Sequence, residues 1–190
     1  MRRLHRLVRR QAGYSMVELL VVMVILGTIL TGVTAVFVQG STAQLNANRR
    51  LQAHLQAVAA FDRLRRDIHC ASSTDATPGT AVGTITFSGC ASGSVTWRMC
   101  GSGTRYALYR GTTTCPTIPA SCATTPAAPA TGKIYADCLT LATPFTYTAP
   151  VADTSLAKVH VDVKVSANIA KAVDTFELVD DIVLRNSLRA

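Results

Sequence analysis

The sequence predicts an α+β protein: a long N-terminal helix, apolar in its first half and amphipathic in its second, packed on an antiparallel β-sheet head. Three observations carry that expectation. Leu19 to Val38 is a run of twenty residues without a charge. Apolar side chains then recur at Leu51, Leu55, Val58, Phe61, Leu64 and Ile68, the spacing of one helical face. From Ala71 to Pro150 the composition shifts to eighteen Thr and all seven Pro in eighty residues, the β-branched residues and turn formers of a sheet with long loops. With 190 residues and a hydrophobic fraction of 48%, the chain is neither disordered nor collagen-like.

Four segments follow: a leader at 1–13, a membrane helix at 14–39, an amphipathic helix at 40–69 and a disulfide-braced head at 70–190. The net charge of +8 is unevenly spread. Five Arg fall in the first ten residues, residues 49–66 hold five more against one acid, and residues 70–190 carry nine basic and eight acidic groups. A near-neutral head argues against a nucleic-acid footprint, which needs a basic stripe. At about 1.5 Å per residue the apolar run is about 30 Å long, the thickness of a bilayer core. The Arg-rich leader on one side, and the absence of Lys or Arg from Gln39 to Asn48 on the other, predict an N-terminus inside and a head outside.

A plain signal anchor and a secretory signal cut after Ser41-Thr42-Ala43 both fit an apolar N-terminal run, although twenty residues exceed the usual secretory core. Gly13-Tyr14-Ser15-Met16-Val17-Glu18 points elsewhere, because an acid abutting a membrane run is costly and marks function. Arg-rich leader, Gly13, aromatic Tyr14, Glu18 and an unbroken apolar helix resemble the class III signal of type IV pilins and type II secretion pseudopilins. The resemblance implies cleavage by prepilin peptidase between Gly13 and Tyr14, N-methylation of Tyr14, and retention of the helix. Glu18 would then neutralise the new ammonium of a neighbouring subunit and set the docking register, since an unpaired charge in an apolar setting costs several kcal/mol. Tyr14 in place of the commoner Phe, the lack of Pro in the apolar run, and retention of Glu18 favour a minor pilin. Residues 60–68, and the ending Leu184-Arg185-Asn186, are similar to minor pilins of the PilW type and to J-type pseudopilins. The partners implied are prepilin peptidase, other pilins or pseudopilins, and the cytoplasmic membrane, with priming or tip capping as a role; nucleic acid enters only if the filament takes up DNA. The location implied is the inner membrane, then a periplasmic or cell-surface filament. A membrane-tethered binding module for a surface ligand or DNA is the alternative.

Within the helix, Gly40 and Ser41-Thr42 are the expected bend, and Asp62 is expected to pair with Arg66 four residues on. Arg63, Arg65 and Arg66 read as a solvated face rather than a phosphate site, because no aromatic residues interleave them. In the head, residues 85–87, 95–99 and 106–109 predict a three-stranded meander with Val95, Trp97 and Met99 toward the helix. Residues 112–131 read as a long loop. A strand is expected around Leu139 to Tyr147, and Lys158 to Val165 alternates valine with polar residues, the signature of a half-buried strand. Residues 176–179 and 182–184 close the sheet.

Cys70, Cys90, Cys100, Cys115, Cys122 and Cys138 all lie in the segment expected outside the cytoplasm, where an even count implies disulfides with fifteen connectivities. Running the meander up, down and up predicts Cys70–Cys100, Cys90–Cys115 and Cys122–Cys138. No CxxC pair is present, and His54, His69 and His160 lack zinc-finger spacing, so no metal is expected. No nucleophile elbow, P-loop, HExxH or dinucleotide fingerprint occurs, and Asp180-Asp181 would point to opposite sides of a strand. No catalytic role and no cofactor are expected.

Overall fold

The computed structural model describes residues 15–91, 93–111, 114–119, 122, 126–129, 131–151, 155–166 and 175–187. One helix, α1, runs Met16–Cys70 without interruption. The chain divides into two units between Leu45 and Asn46, somewhat past the 39/40 boundary read from composition. In the first unit every described side chain of α1 is exposed. Thr28, Thr31 and Thr34 turn their hydroxyls onto carbonyls three or four residues back, which satisfies them without any partner outside the helix. Gly40, Ser41 and Thr42 lie inside the continuous helix, and Thr42 donates to the Gln39 carbonyl at 2.9 Å. The bend expected there is therefore marked by no break in the helix.

In the second unit the last turns of α1 pack on a sheet of nine strands: β1 Ser73–Thr74, β2 Ala81–Val82, β3 Thr84–Cys90, β4 Gly93–Ser102, β5 Arg105–Arg110, β6 Lys133–Leu139, β7 Phe145–Thr148, β8 Lys158–Ser166 and β9 Thr175–Val183. All pairings are antiparallel, in the order β1-β3-β4-β5-β6-β8-β7-β2, with β9 on the other edge of β8. The architecture is α+β, a long N-terminal helix packed on a curled antiparallel sheet, as its composition predicts. The β3-β4-β5 meander is present, and Lys158 to Val165 is a strand with Val159, Val161, Val163 and Val165 buried.

Four readings change. The apolar strand expected at 139–147 is two strands, β6 and β7, because β6 starts earlier at Lys133 and Thr140 leaves it to bond the Lys164 carbonyl. Residues 175–183 form one strand, not two, and Leu184 lies just past its end: β9 pairs with β8 along its full length, from Ser166↔Thr175 to Lys158↔Val183. The buried face of α1 is Ala57, Ala60, Phe61, Leu64, Asp67 and Ile68, while Leu51 and Leu55 are 57% and 58% exposed and Val58 is 37% exposed. Phe61, Leu64 and Ile68 are therefore buried as expected, and the contact line reaches back through Ala60 and Ala57 in place of Val58, Leu55 and Leu51. Finally, Asp62 meets Arg65, at 3.9 Å, instead of Arg66, which donates to the Asp62 carbonyl at 3.3 Å.

The core joins Leu64 and Ile68 of the helix to Ile85, Phe87, Trp97, Leu108, Phe145, Val161 and Ile182 of the sheet. Val95 and Trp97 are buried and Met99 packs against the same cluster, which is the face predicted for them.

Candidate functional site

The region of interest begins at the start of α1. Gly13 and Tyr14, the expected cleavage and methylation residues, lie outside the described residues. Ser15 precedes the first helical residue and the Leu19 amide donates to its carbonyl at 3.2 Å. Glu18 therefore stands in the first turn, where an acid opposes the exposed amides and the positive end of the helix dipole. Ser15-Met16-Val17-Glu18 also has the spacing of a capping box, a signal that the sequence carried and that the reading of Glu18 as an assembly residue passed over. Glu18 and the apolar residues after it are exposed on the single chain. The helix is long and apolar enough to cross a membrane, with a mean hydropathy of 2.6 in its best window and none of that window buried.

At the other end of α1, the junction with the sheet is held by one acid. Asp67 is 5% exposed. Its Oδ2 accepts from Trp97 Nε1 at 3.0 Å and from Arg110 Nε at 2.7 Å, and its Oδ1 lies 3.5 Å from Arg63. Three residues after Leu64 and one before Ile68, Asp67 was legible as an acid on the buried face of the helix, yet its partners on β4 and β5 were not. Arg65, the exposed arginine beside it, bonds Asp180 at 2.6 Å. Arg63 and Arg65 thus hold carboxylates and Arg66 a carbonyl, and with Arg65 and Arg66 exposed they keep to their reading as a solvated face.

The disulfides correct two of the three expected pairs. Cys70 bonds Cys90 and Cys100 bonds Cys115, in place of Cys70–Cys100 and Cys90–Cys115; Cys122 bonds Cys138. The reason is β1, too short to be seen in the sequence. It pairs Ser73 with Ser88 and Thr74 with Phe87, which carries the helix end to Cys90, with Cα atoms 5.1 Å apart. Gly89 permits that approach, since a Cβ there would stand 2.0 Å from Ser72 Oγ and its φ is +91°. Cys100 lies opposite Ala107 on β5, and the chain beyond β5 folds back to bring Cys115 within 5.3 Å of it, Cα to Cα.

Near the third bridge, Arg105 is 2% exposed. Its guanidinium makes a two-pronged pair with Asp137 and donates to the Pro119 carbonyl. That planar fork suits a carboxylate and ties the long loop to β5 and β6. On the opposite edge of the sheet, Asp181 accepts from Lys158 at 2.8 Å and His160 Nδ1 lies 2.7 Å from it. These bonds, Lys158 first and His160 second, hold the Asp181 carboxyl below its ordinary range. The Asp180-Asp181 pair splits as expected, one residue toward Arg65 and one toward β8. Among the described residues no group of three His, Cys, Asp or Glu is arranged to hold a metal ion.

Compared with known families, residues 8–34 match the family model described as the prokaryotic N-terminal methylation motif. No curated protein and no solved structure matches the chain. The match spans the last six residues of the leader, the Gly13-Tyr14 junction, Glu18 and the first sixteen residues of the apolar run. The N-terminus of this chain is therefore a prepilin-type, type IV pilin-like signal, the kind that prepilin peptidase processes.

Proposed function

We propose that this protein is a minor pilin or pseudopilin. Prepilin peptidase cuts it between Gly13 and Tyr14, Tyr14 is N-methylated, and the mature chain enters a type IV pilus or type II secretion-like filament through α1. The observation that carries this reading is the methylation motif at residues 8–34, which runs into the apolar first half of α1, whose described side chains are exposed on the single chain. Such a surface needs lipid or other helices around it. Cleavage removes five Arg, so the net charge falls from +8 to 8 − 5 = +3 on 190 − 13 = 177 residues. Loss of that cationic stop frees the helix to leave the bilayer. Glu18 then faces the ammonium of a neighbouring subunit, whose pairing in an apolar interior favours one register. The head works by assembly rather than catalysis, priming the filament or capping its tip, after passing through the inner membrane with the N-terminus inside.

Intact mass and N-terminal sequencing of the protein from cells that contain prepilin peptidase test this directly. A start at methylated Tyr14 is the expected result. A start at Gln44 would make it a secreted domain, and an intact Met1 a tethered one; either sinks the proposal.

A further inference from the structure

Among the described residues other than glycine, Cys138 alone has a positive φ, +60°. That is the left-handed region, where Cβ crowds the carbonyl oxygen and which such residues keep only when their surroundings impose it. Asp137 supplies part of the imposition. Its Oδ1 accepts from the Cys138 amide at 2.6 Å and from Arg105 Nε at 3.2 Å, and its Oδ2 accepts from the same guanidinium.

The guanidinium also reaches the other half of the bridge. Arg105 donates to the Pro119 carbonyl, three residues before Cys122, while Asp137 stands one residue before Cys138. One side chain of β5, 2% exposed, thus clasps both segments that the Cys122–Cys138 bridge joins. Burying a guanidinium with a carboxylate is costly unless their geometry is well matched, and a covalent bond by itself asks for no such clasp. The spacing of the cysteines shows a use for it. Cys115 lies seven residues before Cys122, whereas Cys138 lies 16 residues after it, and the shorter loop is the easier to close. Left to chain statistics, Cys122 would meet Cys115 more readily than its native partner.

We propose that Arg105 and Asp137 are positioning residues for the chain's own oxidation, bringing the Cys122 and Cys138 thiols together before the covalent bond exists. Cys122 is half-buried and Cys138 only 8% exposed, so Cys122 is the sulfur that an oxidant reaches first. Its thiolate attacks an incoming disulfide, forming a mixed disulfide and releasing one thiol. The Cys138 thiolate then attacks the Cys122 sulfur and expels the second thiol. Two electrons and two protons pass from the cysteine pair to the incoming disulfide, which leaves as two thiols. The clasp acts on the second step, in which it presents Cys138 to the Cys122 sulfur. The inference concerns the head alone and does not depend on filament membership or on where the leader is cut.

The test uses the full chain in detergent, equilibrated in glutathione buffers of graded redox ratio, quenched by alkylation and read bridge by bridge by peptide mass mapping. Arg105→Gln is expected to lower the equilibrium constant for closing Cys122–Cys138 by about tenfold, the scale of a charge-assisted hydrogen-bonded pair, and that for Cys70–Cys90 by less than about twofold. A Cys115–Cys122 cross-bridge should appear at the same time. Arg105→Lys, which keeps the charge but not the planar fork, should fall between wild type and Arg105→Gln. Since a lone buried Asp137 can unfold the head, Arg105→Met combined with Asp137→Leu replaces the whole pair by apolar side chains, a change that folds often tolerate. Its far-UV circular dichroism should match the wild type while Cys122–Cys138 still closes poorly. A loss shared equally with Cys70–Cys90 in the double variant would mean that the pair holds only the fold, and an unchanged Cys122–Cys138 equilibrium that it positions nothing; either result overturns the proposal.

Discussion

Asp67 concentrates at one carboxylate what attaches the helix to the sheet. With 5% of its surface exposed it accepts from an indole and a guanidinium on two neighbouring strands. Removing it leaves Trp97 Nε1 and the largely covered Arg110 without their acceptor, and unpaired buried donors cost more than the bond itself was worth. Asp67→Ala is expected to destabilise the folded head by about 2–4 kcal/mol, read from urea unfolding of the chain in detergent; a loss near zero would mean that water replaces the carboxylate. Asp181 behaves differently because it is exposed. Its folded-state pKa is depressed by Lys158 and His160, so its contribution is complete above the ordinary carboxylate value and is lost as pH falls through the lowered one. The melting-temperature gap between wild type and Asp181→Asn should be present above the ordinary carboxylate value and close as pH falls through the lowered one, a trend that thermal scans across pH can contradict. Lys164 has the opposite sign. Glu177 first, then Asp162, raise its pKa above 10.5, so its contribution holds at neutral pH and fades only above that value. Glu18 and the leader were legible as single residues because they break a pattern: one acid before twenty uncharged residues, and Arg without acids. Asp67 broke a pattern as well, but its partners lie 30 and 43 residues away, and no periodicity reports such a distance.

Elements show a similar division between what repeats and what does not. The alternation of β8 and the three-strand meander were readable because each strand carries its own period. β1 and β2 have two residues each, below the length at which any alternation exists, and β1 decides where Cys70 goes. The helical face was read from the largest apolar residues, which holds for Phe61, Leu64 and Ile68, whereas its earlier turns touch through the small Ala57 and Ala60 and leave Leu51, Leu55 and Val58 exposed. This makes a contrast that can be measured. Leu64→Ala, at a fully buried position, should cost about 2–5 kcal/mol. Leu55→Ser, on the exposed side, should change the stability of the single chain by less than about 0.5 kcal/mol. Equal effects in denaturant titrations would restore the periodic reading of the face.

For the molecule as a whole, the first unit is a helix without cover and the second a head with its own core. Glu18→Ala is expected to leave cleavage after Gly13 intact while reducing entry into filaments at least about tenfold, on the scale of an unpaired charge in an apolar interior; quantitative immunoblotting of sheared filaments against the membrane pool measures it. Gly13→Val should block processing, and an unchanged mature mass in that variant would remove the cleavage assignment. The bridges add a consequence for biogenesis. They join Cys70 to Cys90, Cys100 to Cys115 and Cys122 to Cys138, at separations of 20, 15 and 16 residues, and no loop encloses or crosses another. On the proposed topology, with the N-terminus held inside, the head emerges from Cys70 onward and presents its cysteines in native order, each partner following before the next pair appears. Oxidation can keep pace with export by simple succession, with no thiol having to wait for a distant mate and little need for an isomerase to undo wrong pairs.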